Sequence, residues 1–91
     1  MTYRLVISDA FKKDLKKIDR TQGERILAFL FDNINGCEDP RVYGKALKGG
    51  LRDKWSYRVG DYRILAHIDD GIVTVTIAEV GHRNKFIKGD D

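Results

Sequence analysis

Three arginines stand where their spacing could do chemistry. Arg58 and Arg63 flank the dipeptide Gly60-Asp61, and Arg83 follows Gly81-His82. Arginine presents a planar fork of donors that matches a phosphate and stays charged at any physiological pH. Gly60-Asp61 is a two-residue hairpin signal, and such turns fix the register of the strands they join. That turn sets Val59 opposite Tyr62, Arg58 opposite Arg63, Tyr57 opposite Ile64 and Trp55 opposite Ala66. Like charges directly opposite destabilise a strand pair by roughly 0.2–1 kcal/mol. A bound anion relieves that repulsion, and two guanidinium forks suit a phosphate. If Asp70-Gly71 is a second two-residue turn, Ile68 faces Val73, Ala66 faces Val75, Ile64 faces Ile77 and Arg63 faces Ala78. Asp61 then faces Val80, and Gly81-His82-Arg83 leaves the sheet beside the first turn, bringing Arg83 to the other two. No acidic residue is expected near them on that face. The competing account is three solvated arginines that share a sheet edge.

Other residues offer less. His82, between a glycine and Arg83, could transfer a proton or simply belong to a loop. His67, His82 and Cys37 lack zinc spacing, so no metal site is expected. Cys37 is the only cysteine, which excludes an internal disulfide and fits a reducing cytoplasm. It has no base paired with it in sequence, which argues against a thiol nucleophile. Lys48-Gly49-Gly50 lacks the glycine spacing and the hydroxyl of a P-loop. Lys12, Lys13, Lys16 and Lys17 read as a solvated helix face, and Trp55 as core.

The charge is unevenly placed. Residues 1–40 are neutral, whereas residues 41–63 carry +5 and residues 81–88 carry +3. Residues 64–80 carry −3 and the last three carry −2, giving +3 for the chain. Two basic segments of this kind suit a polyanion, nucleic acid above all, although an ordinary solvated surface has the same charge. With 91 residues, 42% hydrophobic and 34% charged, the chain reads as one folded domain over 1–91. No apolar run approaches the roughly 20 residues that span a bilayer, and no signal peptide is expected.

The elements that must position these residues follow from periodicity. Residues 2–8 alternate as a short strand, with Tyr3, Leu5 and Ile7 on one face. Ser8 or Asp9 caps a helix over about 9–19, on which Phe11, Leu15 and Ile18 share a face. Thr21 and Glu24 suggest a capping box for a second helix, with Ile26, Leu27, Leu30, Phe31 and Ile34 as its apolar stripe and Asn35-Gly36 as its end. Residues 36–50 read as a loop with room for one helical turn. Three alternating strands follow, around Trp55–Val59, Tyr62–Ile68 and Val73–Ile77. The expected fold is α+β, in the order β-α-α-β-β-β, with a helix hairpin on one face of a small, mostly antiparallel four-stranded sheet.

Three stretches carry a resemblance. Lys45-Ala46-Leu47-Lys48-Gly49, Trp55-Ser56-Tyr57-Arg58-Val59-Gly60-Asp61-Tyr62-Arg63-Ile64 and Glu79-Val80-Gly81-His82-Arg83 resemble the RelE/ParE toxin superfamily, and its RelE branch in particular. The order of elements agrees over nearly the whole chain, and the Tyr-Arg-Val-Gly-Asp-Tyr-Arg run with a downstream Gly-His-Arg is fairly specific. The resemblance implies a toxin of a type II toxin–antitoxin pair, an endoribonuclease that cuts mRNA at the ribosomal A site with no metal and no cofactor. The ribose 2′-hydroxyl would attack the adjacent phosphate. It also implies a RelB-like antitoxin partner, mRNA and ribosome as targets, and no membrane.

On the resemblance, Arg63 and Arg83 would hold the scissile phosphate and Arg58 would add a third cation. Lys45, Lys48, Arg52, Lys54 and Lys85 would grip RNA. Two positions depart from the family. Ser56 stands where members often carry a basic residue, for which Lys54 is the substitute. No Tyr follows Arg83, where Phe86 could stack a base but not move a proton, so His82 becomes the candidate acid/base. The rival expectation is a ParE-like toxin that inhibits DNA gyrase and cleaves nothing; a third is an inactive RNA-binding relative.

Overall fold

The computed structural model describes residues 2–46 and 54–82. The elements are β1 (Arg4–Ile7), α1 (Asp9–Lys16), α2 (Arg20–Phe29) continuing into a π-helical turn (Leu30–Ile34), a 3₁₀ turn (Pro40–Tyr43), β2 (Gly44–Ala46), β3 (Lys54–Val59), β4 (Tyr62–Asp69) and β5 (Thr74–His82). Among the described residues the strands form one sheet in the order β1-β5-β4-β3-β2. β1 runs parallel to β5, and the other pairs are antiparallel. The α+β class and the helix hairpin are as expected, but the sheet has five strands rather than four. No helix of the described residues is long and apolar enough to cross a membrane.

The added strand, β2, lies where a loop was expected. Gly44 pairs with Tyr57 and Ala46 with Trp55. A Cβ on Gly44 would collide with the Ser56 carbonyl oxygen and lie 2.8 Å from the Tyr57 ring. Only a glycine lets the backbone press this close to β3. The preceding 3₁₀ turn is the helical turn for which the loop had room.

The helix starts differ in part from expectation. Ser8 caps α1, its Oγ accepting the Phe11 N–H at 3.1 Å. α2 begins before Thr21, because the Asp19 carboxylate accepts the Thr21 N–H at 3.1 Å. A carboxylate at the positive end of the helix dipole competes well with a hydroxyl there. Glu24 closes no capping box and pairs with Arg20 at 3.2 Å. At the other end, Asn35 N–H reaches the Leu30 carbonyl at 2.9 Å, five residues back. That wider turn keeps Ile26, Leu30 and Ile34 buried and turns Phe31 out, 52% exposed, against the expectation that it joins the stripe. The helices contribute Phe11, Ile26, Leu30 and Ile34 to a core completed by Tyr57, Ile64, Ala66, Ile68, Val75, Ile77 and Val80.

The two hairpins around β4 part ways. β3 and β4 pair as expected, with Arg58 opposite Arg63 and Val59 opposite Tyr62 across the Gly60 turn, where φ is +58°. The β4–β5 register is corrected. The turn holds four residues, 70–73, and Asp69 faces Thr74. The cause is the Asp69 side chain, whose Oδ1 accepts the Gly71 and Ile72 N–H groups at 2.9 and 3.3 Å and so opens the loop. A bulge then leaves Ala78 unpaired, because Ala66 faces Ile77 while Leu65 faces Glu79. Helix α1 secures that bulge. Ser8 Oγ donates to the Ala78 carbonyl at 3.0 Å, and Asp14 accepts the Val80 N–H at 3.3 Å.

Candidate functional site

Strand alternation divides the sheet into a helix-covered face and an open face. On the open face Arg58 and Arg63 stand side by side, and the next row holds Lys45, Ser56, Leu65 and Glu79. Arg58, Arg63, Lys45 and Ser56 line a cleft of about 300 Å³ together with Val42, Tyr43 and Gly44. Arg58 is exposed, and its Nε donates to the Gly60 carbonyl at 3.3 Å, which steadies the guanidinium at the turn. Gly81, without a side chain, is the residue opposite Arg63 on β5. The cleft therefore combines three cations with a hydroxyl, in a shape open enough for a phosphodiester.

One wall of the cleft is the 3₁₀ turn, and several side chains tether that wall. Asp39 Oδ1 accepts the Arg41 N–H at 3.1 Å. The buried Tyr57 hydroxyl donates to the Pro40 carbonyl at 2.7 Å. Trp55 Nε1 donates to the Arg41 carbonyl at 3.2 Å, and the Arg41 guanidinium lies 5.7 Å from the Trp55 ring centroid. Arg41 grips both oxygens of Asp70 at 3.0 Å, and Tyr3 donates its hydroxyl to Asp70 at 2.6 Å. Arg41 first and the Tyr3 hydroxyl second hold the Asp70 carboxyl below its usual range. The same carboxylate pushes the Tyr3 phenol up. Burial drives the Tyr57 phenol well above its ordinary value, so it remains a donor. Burial also raises the Cys37 thiol, which leaves it a poor nucleophile.

The expected site residues fall into three groups. Arg58, Arg63 and Lys45 come together in the cleft. Lys54 shares their face, four residues from Arg58 along β3 and so about 13 Å away. His82 is corrected: it remains in β5 opposite Tyr62, on the helix side of the sheet. There its ring meets Tyr62 edge-on, centroids 5.7 Å apart, beside Asp14, Lys17 and Ile18. Arg83, Lys48, Arg52, Lys85 and Phe86 lie outside the described residues. The expectation of no nearby carboxylate is also corrected, because the bulge turns Glu79 onto the open face, one row from Arg63. Tyr43 went unnoticed, since it sat in an expected loop with no periodicity to direct it. Among the described residues no three His, Cys, Asp or Glu side chains gather as metal ligands.

A helix hairpin thus covers one face of a mixed five-stranded sheet, and arginines stand opposite each other on the bare face. The family model described as the ParE toxin of type II toxin–antitoxin systems matches residues 5–85. The toxin RelG of Mycobacterium tuberculosis is 32% identical, over 91% of this chain and 93% of its own length. The crystal structure of the RelBE2 toxin–antitoxin complex of the same organism aligns with TM-score 0.78 and 32% identity, over 91% of this chain and 100% of its counterpart. The RelE–RelB complex of Pyrococcus horikoshii aligns with TM-score 0.71 and 25% identity, over 93% and 99%. The chain belongs to the RelE/ParE family of type II toxin–antitoxin toxins.

Proposed function

We propose that this toxin is a metal-independent endoribonuclease that cuts mRNA, at the ribosomal A site in the cytoplasm, and thereby stops translation. The observation that carries the reading is the Arg58–Arg63 pair in the open-face cleft. Two guanidinium forks that line one cleft suit the charge and the oxygens of a phosphodiester. The ribose 2′-oxygen then attacks the adjacent phosphorus, the P–O5′ bond breaks, and a cyclic phosphate remains. Arg58 and Arg63, with Arg83, neutralise the extra charge of the pentacoordinate transition state. The 2′-hydroxyl proton needs an acceptor, and the departing 5′-oxygen needs a donor. With His82 on the helix side, Glu79 is the carboxylate suited to the first task, and solvent water protonates the departing 5′-oxygen. Lys45, Lys48, Arg52, Lys54 and Lys85 contact the RNA backbone and ribosomal RNA, and Phe86 stacks a base.

The partner in this reading is a RelB-like antitoxin, as in the complexes of the structural relatives. Its docking site is the α1–α2 groove of about 590 Å³, with Leu15, Ile18 and Leu27 as floor and Lys12, Lys16 and Arg20 as rim. That combination suits an amphipathic helix with acidic flanks.

Primer extension on mRNA from cells producing the chain tests the activity. Discrete cuts within codons, lost in Arg63→Ala and slowed in Glu79→Gln with RNA binding retained, are the expected result. A second reading, a ParE-like inhibitor of DNA gyrase, draws on the separation of His82 from the arginine pair. Intact mRNA with induced DNA-damage signalling would establish that reading instead.

A further inference from the structure

The cleft has an apolar rim that the phosphate chemistry does not use. Val42 is 69% exposed and Tyr43 is 41% exposed, next to each other on the 3₁₀ turn. Both line the cleft that holds Lys45, Arg58 and Arg63. A single exposed apolar side chain is ordinary, but these two are adjacent, and their turn is held by the Asp39 cap, the Tyr57 and Trp55 donors and the Arg41–Asp70 fork. The Tyr43 ring is further fixed edge-on to Phe29, centroids 6.4 Å apart. A rigid, exposed aromatic beside a cationic cleft is the arrangement that binds a single-stranded nucleotide: cations take the backbone and the ring takes the base.

We propose that the 3₁₀ turn is a base-binding subsite, in which Tyr43, flanked by Val42, receives the nucleobase next to the phosphate held by Arg58 and Arg63. The inference rests on the ribonuclease reading and adds a residue and a ligand moiety to it. Stacking on a ring is tolerant of base identity, so the subsite orders the strand without selecting a sequence. Ordering matters for in-line attack, because the 2′-oxygen and phosphorus must be aligned before charge stabilisation is of use. The rigid turn supplies the ring already in place, so binding orders only the RNA.

The test is fluorescence anisotropy with a short single-stranded RNA made uncleavable by a 2′-methoxy group at each ribose. Companion oligonucleotides each lack one base. Tyr43→Phe is expected to bind within about threefold of wild type. Tyr43→Leu, which keeps an apolar contact with Phe29, is expected to bind about 5- to 100-fold more weakly, the weight of one stacked base. That loss should vanish on one of the oligonucleotides lacking a base. The salt dependence should be unchanged in Tyr43→Leu and fall by about one unit of slope in Arg63→Ala. If Tyr43→Leu binds like wild type, or loses equally on every oligonucleotide, the subsite is overturned while the phosphate site stands. If wild type binds no RNA at any salt concentration, the ribonuclease reading and the subsite fall together. Should Tyr43→Leu melt below the assay temperature, photo-crosslinking of wild type to 4-thiouridine RNA decides, with an adduct at Val42 or Tyr43 supporting the subsite and adducts only elsewhere overturning it.

Discussion

The hairpins on the two sides of β4 are held by different forces. β3–β4 is held locally: two turn residues, one a glycine at positive φ, set a regular ladder of six pairs. β4–β5 is held in part from outside. Its loop is shaped by the Asp69 carboxylate, its bulge is fastened by Ser8 on the way into α1, and Val73 sits at φ +51°. A β-branched residue in that region is strained. The regular hairpin carries the arginine pair. The irregular one decides what surrounds it, setting Gly81 beside Arg63, Glu79 on the open face and His82 on the other. Charge placement depends on the local hairpin, and the proton-transfer groups depend on the imposed one.

The largest expected effect lies in the local hairpin. Arg63→Ala should lower RNA cleavage by about 10²–10³, the cost of one lost transition-state donor, and release growth arrest accordingly. The fold should be retained, because the side chain lies on the open face and outside the core. Circular dichroism melting beside the cleavage assay checks both. A stable, fully active Arg63→Ala protein would remove the pair from the site.

Next comes the fastening of the bulge. Ser8→Ala loses a helix cap, worth about 0.5–2 kcal/mol, and also leaves the part-buried Ala78 carbonyl without its donor. Its loss in urea unfolding should therefore exceed that of Asp19→Ala, which loses a cap alone. Equal losses would mean that the bulge holds itself.

The smallest expected effect is a pair of opposite signs. Gly60→Ala has room for its methyl, with no atom nearer than 3.8 Å, but meets the strain of φ +58° and should lose about 1 kcal/mol. Val73→Gly relieves strain of about 1–2 kcal/mol and gives back about 0.5–1 in chain entropy, so it should be neutral or slightly stabilising. Thermal melts of the two variants check the signs. A destabilised Val73→Gly would show that packing of the valine outweighs its backbone strain.

This contrast also explains what was legible in the sequence. Arg58 opposite Arg63 could be read because glycine chemistry inside the turn determines it. The family, the α+β class and the helix pair were legible from motif and period. The bulge was not, since the hydroxyl that fastens Ala78 comes from Ser8, 70 residues away. The site residues inherited that limit: Lys45 was found by charge, whereas no carboxylate was expected beside the arginines and His82 was expected to leave the sheet with Arg83, because a single unpaired residue exchanges the faces beyond it. β2 was hidden because its three residues owe their place to contact with Tyr57 and Trp55 rather than to alternation of their own.

The parallel pairing of β1 with β5 has a consequence for how the molecule comes into being. Arg4 finds its ladder partner at Thr74 and Ile7 at Ile77, so β1 pairs with a strand about 70 residues further along the chain. Until β5 exists, β1 is an unpaired edge and the hairpin of α1 and α2 has no complete sheet to cover. Closing so long a loop before the contact rewards it slows folding, as in other topologies rich in distant pairs. Assembly of the described sheet therefore waits for β5 to be synthesised rather than proceeding strand by strand. A protein that met the nascent chain would find the exposed apolar faces of α1 and α2 before it found a folded toxin.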